Sequence, residues 1–121
     1  MQHSPRFLAL AHAAKASIHE CTIEAVKARM DNNEKLLLID VREDSEFAAG
    51  HIPGAIHLSK GVMERDIEKV VPNADQEILL YCGGGFRSAL TAENLLRMGY
   101  TKVTSVDGGW RAWTDAGYPV D

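Results

Sequence analysis

Two short apolar segments, residues 36–39 and 78–81, are continuous rather than alternating, and each is bounded by polar residues. A continuous apolar run of this length is typical of a strand that is buried on both faces of a parallel sheet. Shorter strand-like segments occur at residues 18–21, 55–58 and 102–106, and stretches with helical spacing separate the five segments. Strands that alternate with helices predict an α/β domain whose parallel sheet is covered by helices on both faces.

Helices are predicted where apolar residues recur at intervals of three and four positions. In the first predicted helix Ser4 is placed to cap the N-terminus and Pro5 suits the first helical position. The apolar side of this helix is predicted to carry Phe7, Leu10, Ala11 and Ala14. Thr22 is predicted to cap the second helix in the same way. The other predicted helices cover residues 44–49, residues 61–71, the segment from the glycine-rich loop to residue 98, and a final short helix that carries Trp110 and Trp113.

Length and charge limit the possible functions. A chain of 121 residues is expected to form one domain that buries roughly two thirds of its unfolded surface. Its net charge of −4 argues against nucleic acid as a partner, because phosphate binding needs a basic face. No segment approaches the ~20 apolar residues of a membrane span, so no membrane association is expected.

The cysteine content predicts a reducing compartment. Cys21 and Cys82 are too few for a disulfide framework, and a free reactive thiol fits the cytoplasm. The apolar stretch at residues 7–14 follows Arg6 and superficially matches a cleaved signal. It is short and contains His12, so it is interpreted as a helix.

Cys82 is the side chain predicted to carry the chemistry. It directly follows the strand at 78–81, so it lies at the carboxyl end of the sheet, where open α/β folds bind ligands. Gly83, Gly84 and Gly85 allow consecutive backbone N–H groups to turn inward and bind an anion, and the helix that follows adds its unpaired N–H groups. The sulfur is therefore predicted to ionise readily and act as a nucleophile. The alternative is a small core residue at the end of a buried strand.

Three segments resemble the rhodanese-like family: DVREDSEFAAGHIPGAIH at residues 40–57, YCGGGFRS at residues 81–88 and DGGW at residues 107–110. Their order and spacing match a single rhodanese domain. The resemblance implies a three-layer α/β/α fold around a five-stranded parallel sheet. It assigns residues 18–121 to the rhodanese-like domain and leaves residues 1–17 as an N-terminal helical extension.

The activity that the resemblance implies is sulfur transfer. Cys82 would attack a small sulfur-containing anion such as thiosulfate or mercaptopyruvate, become a persulfide, and pass the sulfur to cyanide, a thiol or a protein acceptor. No cofactor is implied, and no histidine has the spacing of a metal ligand. Many thiosulfate-using members carry a basic residue directly after the cysteine, whereas this chain has Gly83, which is similar to the mercaptopyruvate-using branch.

The loop residues after the glycines have two possible roles each. Arg87 is the candidate for binding an anionic donor, and its alternative role is a structural clamp paired with a carboxylate. Ser88 is available as a hydroxyl partner or as a helix cap. Phe86 is either a lid over the sulfur or, as favoured here, an anchor in the core. The backbone amides of residues 83–88 are expected to surround the charged sulfur.

Supporting roles are expected for three further residues. Asp40 and Arg42 follow the second predicted strand and reach the same edge as Cys82, where an ion pair that fixes the loops is favoured over contact with substrate. Trp110 is expected to pack with Trp113 or to line the mouth of the site. Cys21 is expected to be a buried small residue, and a resolving role toward Cys82 stays open.

Three other functions remain as alternatives to a free-standing sulfurtransferase. A persulfide relay would take sulfur from a partner protein, and a non-catalytic module would only bind one. A cysteine phosphatase or arsenate reductase is disfavoured, because phosphatases of similar fold carry Cys-x5-Arg, whereas here four residues separate Cys82 from Arg87. The smaller loop suits a single sulfur, and it holds no acid to protonate a leaving alkoxide.

Overall fold

The structure is a computed structural model that describes residues 2–121, so Met1 of the predicted extension lies outside the described residues. The strands are β1 (His19–Cys21), β2 (Leu38–Asp40), β3 (Ile56–His57), β4 (Ile78–Tyr81) and β5 (Val103–Val106). The α-helices are α1 (Pro5–Lys15), α2 (Ile23–Asp31), α3 (Asp44–Ala49), α4 (Met63–Val70), α5 (Phe86–Arg97) and α6 (Gly109–Asp115).

All strand pairs are parallel, and the five strands are ordered β1-β5-β4-β2-β3. Side chains alternate between the two faces of a strand. Ile78 and Leu80 of β4 therefore join the hydrophobic cluster under α4 and α5, whereas Leu79 and Tyr81 join the cluster under α2 and α6. This arrangement confirms the predicted three-layer α/β/α fold and places β4 in the middle of the sheet.

Helix α1 packs on α5 and extends that layer. Ala11 and Ala14 are fully buried there, and their small side chains allow the two helices to approach closely. The prediction that Leu10 faces the apolar side was wrong, because its side chain is 59 % exposed. Ser4 stands at the N-cap position but makes no capping hydrogen bond. Thr22, by contrast, caps α2 as predicted, with its Oγ1 accepting from the N–H of Ala25 at 3.1 Å.

Two elements begin two residues later than predicted, and the other boundaries differ by one residue or less. The helix predicted at residues 61–71 begins with the 3₁₀ turn Lys60–Val62 and becomes an α-helix only at Met63. Gly61 explains the late start, because glycine is a poor residue for a helix interior. Strand β2 begins at Leu38 rather than at residue 36. Within residues 2–121 no helix has the length and apolarity that crossing a bilayer requires.

Candidate active site

The carboxyl edge of the sheet brings the predicted site residues together. Cys82 follows the last residue of β4, and Asp40 ends the neighbouring strand β2. Gly85 is the N-cap of α5 and has a φ of 101°, a left-handed conformation that favours glycine. The chain can therefore turn from the central strand into α5 within four residues.

The sulfur of Cys82 has two hydrogen-bond partners. The backbone N–H of Gly85 donates to Sγ over 3.1 Å, and the Oγ of Ser88 lies 3.4 Å from Sγ. The Oγ of Ser88 is in turn 2.8 Å from the Oγ of Ser105 on β5. The hydroxyl of Ser105 can donate to that of Ser88, and the hydroxyl of Ser88 can then donate to Sγ. In this orientation the two linked hydrogen bonds stabilise a negative charge on the sulfur.

The structure limits what two features of the loop can do. Of the two roles left open for Ser88, a hydroxyl partner and a helix cap, the cap is excluded, because the helix begins at Phe86 and Gly85 holds the N-cap position. The expected ring of amides is also smaller than predicted: among residues 2–121 only the N–H of Gly85 is hydrogen-bonded to Sγ. Gly83 and Gly84 border the neighbouring pocket instead.

A pocket of about 780 Å³ opens beside the cysteine. Cys82 is 1 % exposed and lies among the pocket's lining residues, so this residue is at the floor of the pocket rather than at the surface. The other lining residues outside the glycine loop come from four helices and from the segment before α1: His3 in that segment, Phe7 on α1, Glu46 on α3, Phe86 and Arg87 on α5, and Trp110 and Arg111 on α6.

Arg87 forms an ion pair with Glu46 at the edge of this pocket. Its Nη1 donates to Oε1 of Glu46 at 2.7 Å and its Nη2 to Oε2 at 3.1 Å. The hydrogen bonds from Arg87 lower the pKa of Glu46 to about 2, and the same bonds raise the pKa of Arg87. The geometry is thus that of a clamp between α3 and the cysteine loop, with the guanidinium charge kept next to the site.

Asp40 and Arg42 form a second, fully buried ion pair. Nε of Arg42 donates to both carboxylate oxygens at 3.0 Å, and its Nη2 donates to Oδ2 at 2.7 Å. Nη2 also donates to the carbonyl of Gly50 at 2.6 Å, and the guanidinium lies 4.7 Å from the centre of the Trp110 ring. Neither residue borders the pocket, so the pair holds the surrounding loops together.

The start of α6 is bonded directly to the cysteine loop. The N–H of Trp110 donates to the carbonyl of Cys82 at 2.8 Å, and the N–H of Arg111 donates to the carbonyl of Gly83 at 2.9 Å. Gly109, with a φ of 50°, passes so close that a Cβ there would overlap the carbonyl of Cys82. Trp110 borders the pocket, whereas Trp113 is fully buried and packs on Tyr118.

Phe86 is not an anchor in the core. It is half-buried, belongs to neither core cluster, and packs against the N-terminal segment while it borders the pocket. The ring centres of Phe7 and His12 lie 6.1 and 5.5 Å from that of Phe86. The prediction was wrong because α1 covers this ring, so that Phe86 does not need to enter the core of the sheet.

Cys21 is separated from Cys82 by the sheet. Its side chain packs against the cluster under α2 and α6, whereas Cys82 belongs to the cluster under α4 and α5. Both cysteines are free. Burial raises the pKa of Cys21, which disfavours the thiolate. The geometry therefore gives no support to a resolving role for this residue.

No site role was assigned from the sequence to Glu46, Ser105 and Arg111, nor to His3 and Phe7 at the N-terminus. Glu46 had a usable signal, since α3 follows a strand adjacent to β4 and a half-buried arginine needs a carboxylate partner. Ser105 also had one, because a serine inside a buried strand requires a hydrogen-bond partner. Arg111 had none, because its position beside the pocket depends on how α6 docks on the loop.

Comparison with known proteins identifies relatives for most of the chain. A family model described as "Rhodanese-like domain" matches residues 22–116. The Bacillus subtilis protein "Putative sulfurtransferase YtwF" is 38 % identical over 79 % of this chain and 90 % of its own length. A second B. subtilis relative, "Putative sulfur carrier protein YrkF", is 37 % identical over 82 % of this chain. The chain spans about half of the latter, 52 %. A "Sulfurtransferase" of Allochromatium vinosum is 30 % identical over 85 % of this chain and 94 % of its own.

A solved structure matches the whole chain, including α1. It is the Rhodopseudomonas palustris protein RPA3614, described as a "Possible Tyrosine Phosphatase" of unknown function, with a TM-score of 0.84 and 30 % identity. The match covers 100 % of this chain and 98 % of that protein. The three-layer fold is therefore shared along the full length of both chains.

Proposed function

The chain belongs to the rhodanese-like domain family, and on that premise we propose that it is a sulfurtransferase that carries sulfur as a persulfide on Cys82. The observation that carries this proposal is the surroundings of the sulfur. Cys82 lies at the floor of a pocket, and its Sγ has the N–H of Gly85 and the hydroxyl of Ser88 as hydrogen-bond partners. Relatives named as sulfurtransferases and as a sulfur carrier support the same chemistry.

The proposed reaction consists of two displacements on sulfur. In the first, the Cys82 thiolate attacks the outer sulfur of a donor such as thiosulfate. A new S–S bond forms, the donor's S–S bond breaks, and its electron pair leaves with sulfite. In the second, a thiophilic acceptor such as cyanide attacks the terminal sulfur of the persulfide, thiocyanate leaves, and the thiolate is restored. No net oxidation occurs, because each step exchanges one nucleophile for another.

The donors around Sγ would stabilise both charged forms of the cysteine. The N–H of Gly85 and the hydroxyl of Ser88 are oriented before the reaction begins, so little reorganisation is needed when a thiolate or persulfide forms. Arg87 contributes positive charge beside the pocket while Glu46 fixes its position. We propose that Arg87 attracts the anionic donor electrostatically and that its hydrogen bonds serve to position the loop.

Three rival functions give different outcomes in simple assays. A persulfide relay would load slowly from small donors and rapidly from a protein persulfide. A binding module would not load at all. A phosphatase, the activity named for the R. palustris protein, would hydrolyse p-nitrophenyl phosphate. The loop with four residues between Cys82 and Arg87, whose guanidinium is held by Glu46, favours sulfur over a phosphoryl group.

Steady-state production of thiocyanate tests the proposal. Thiosulfate and mercaptopyruvate would be supplied separately as donors with cyanide as acceptor, and p-nitrophenyl phosphate would be assayed in parallel. We expect turnover with at least one sulfur donor, abolition by Cys82→Ser and full activity in the matched control Cys21→Ser. Turnover that survives in Cys82→Ser, or phosphatase activity without sulfur transfer, would overturn the proposal.

A further inference from the structure

The pocket beside Cys82 is bounded on one side by the N-terminal segment. His3 and Phe7 line it together with Phe86. The Phe7 and Phe86 rings meet edge to face with their centres 6.1 Å apart, and the His3 ring lies 5.3 Å from that of Phe86. The family match begins at residue 22, so this part of the pocket comes from a segment outside the matched region.

Helix α1 is held firmly in this position. Ala11 and Ala14 are fully buried, and α1 packs along α5. At its C-terminal end, Nζ of Lys15 donates to Oε2 of Glu20 at 2.6 Å and to Oδ1 of Asp107 at 2.9 Å. The Phe7–Phe86 pair is therefore a fixed apolar wall of the pocket.

Arg111 adds a cation to the same pocket. Its backbone is fixed by the bond to the carbonyl of Gly83, 2.9 Å away, and its side chain is exposed. Among residues 2–121 no carboxylate lies within ion-pair distance of Arg111, whereas Arg87 is bound by Glu46 through both terminal nitrogens. Of the two arginines that line the pocket, Arg111 is therefore the one whose guanidinium is able to form new hydrogen bonds with an anion.

The size of the pocket exceeds the needs of an inorganic ion. A water molecule occupies about 30 Å³, so a five-atom thiosulfate ion would fill a small part of a space of about 780 Å³. The remaining space borders the rings of Phe7 and Phe86, which gain free energy by contact with an apolar group. Small-molecule sites combine such apolar surface with a few charged groups that fix orientation.

We propose that α1 is part of the substrate site and makes the protein selective for organic anionic sulfur donors. The apolar group of the donor packs on the Phe7–Phe86 wall, and its anionic group binds Arg111. This inference rests on the proposed sulfurtransferase activity and assigns its donor class. The probe is benzenethiosulfonate, in which a phenyl group replaces one oxygen of thiosulfate on the sulfonyl sulfur.

The chemical step is the same for both donors. The Cys82 thiolate attacks the outer sulfur, the S–S bond of the donor breaks, and the electron pair leaves with benzenesulfinate or with sulfite. The persulfide then gives its terminal sulfur to cyanide. The two donors differ in intrinsic reactivity, and this difference is the same in every variant. The change in their kcat/KM ratio from one variant to another therefore reports on binding of the phenyl group.

The experiment measures kcat/KM for thiocyanate production from each donor. We expect Phe7→Ala to lower the benzenethiosulfonate-to-thiosulfate ratio about tenfold by removing apolar contact area, and Phe7→Leu to restore most of it. The matched control is Leu10→Ala on the same helix, since Leu10 is exposed and does not line the pocket. Circular dichroism and a thermal melt establish that each variant is folded.

A second pair of variants tests the anion site. Arg111→Ala should lower kcat/KM about tenfold for both donors, because each presents a negative group. Arg65→Ala, an exposed arginine on α4 that does not line the pocket, should change neither.

The outcomes separate this inference from the proposed function. If Phe7→Ala leaves the benzenethiosulfonate-to-thiosulfate ratio of kcat/KM unchanged while sulfur transfer persists, the inference is overturned and the sulfurtransferase assignment stands. An Arg111→Ala variant with wild-type kinetics would have the same consequence. Transfer from mercaptopyruvate but from neither of these two donors would overturn the inference alone, and absence of transfer from all three donors in the wild-type protein would overturn both.

Discussion

The backbone N–H of Trp110 donates to the carbonyl oxygen of Cys82 at 2.8 Å, so the first turn of α6 is bonded to the residue that carries the reactive sulfur. This contact requires the two backbone segments to approach closely at Gly109, where no side chain fits. The glycine at residue 109 is thus explained by packing against the cysteine loop. The shape of the loop depends on a helix that begins 27 residues later in the sequence.

Gly109→Ala should destabilise the protein and reduce sulfur transfer. The added Cβ would overlap the Cys82 carbonyl, and the left-handed conformation adds strain of about 1–3 kcal/mol. The control is Gly117→Ala, whose φ of 74° imposes similar strain but whose Cβ would contact nothing within 4 Å. Urea unfolding measures both free energies. Equal losses in the two variants would contradict the packing explanation.

Ser88→Ala should slow the reaction of Cys82 with iodoacetamide at neutral pH about tenfold, because a hydrogen bond to a charged group is worth about 1.5–3 kcal/mol. Ser105→Ala should have a smaller effect in the same direction, since it acts on the sulfur through Ser88. Ser45→Ala, at an exposed position on α3, is the control. Alkylation of Ser88→Ala at the wild-type rate would exclude a role for this hydroxyl at the sulfur.

The Glu46–Arg87 pair predicts a pH-dependent difference in stability. Because folding lowers the pKa of Glu46 from 4.5 to about 2, the pair stabilises the folded state above pH 4.5 and loses its contribution as the pH falls toward 2. The free energy of unfolding of the wild type should exceed that of Glu46→Gln by about 1 kcal/mol or less at neutral pH, since both side chains are partly exposed. The difference should shrink in acid.

Glu68→Gln provides the control for that titration, because Glu68 is exposed on α4 and has no ion pair within residues 2–121. Its difference from wild type should stay small across the same pH range. A Glu46→Gln difference that does not change between pH 4.5 and pH 2 would contradict the assigned role of the pair.

Asp40→Asn should cost about 3–5 kcal/mol of stability, because it leaves the buried guanidinium of Arg42 without its countercharge. Asp44→Asn, whose carboxylate is 94 % exposed, should be close to neutral. Thermal or urea unfolding distinguishes the two variants. A loss of activity in Asp40→Asn without a loss of stability would instead indicate a direct role of Asp40 at the substrate.

The sequence was sufficient to predict the sheet and the location of the cysteine. Continuous apolar strands and the parallel arrangement they imply put the ends of β2 and β4 at one edge, and there Asp40 and Cys82 lie. Hydrogen bonds local to the loop were partly accessible too, since Gly85 is three residues from Cys82. Such contacts depend on the geometry of a tight turn, which consecutive glycine residues indicate in the sequence.

Contacts between distant segments were not accessible. Glu46 and Arg87 are 41 residues apart and meet only because α3 and α5 reach the same edge. Phe7 meets Phe86 because two alanines, rather than the larger Leu10, form the packing side of α1. Local spacing indicates that a helix has an apolar side, but which residues are buried is decided by the surface on which the helix docks.

Intact-mass analysis after incubation with a sulfur donor tests the central claim most directly. Separate samples of the protein would be incubated with thiosulfate, mercaptopyruvate or benzenethiosulfonate, and the donor would be removed without adding a reductant. The mass of the intact protein would then be measured, and a digest would locate the modification. We expect a gain of one sulfur atom on Cys82 in the wild type and in Cys21→Ser, its removal by cyanide, and no gain in Cys82→Ser. If the wild-type protein gains no sulfur from any donor, or gains it on Cys21, Cys82 is not the sulfur carrier.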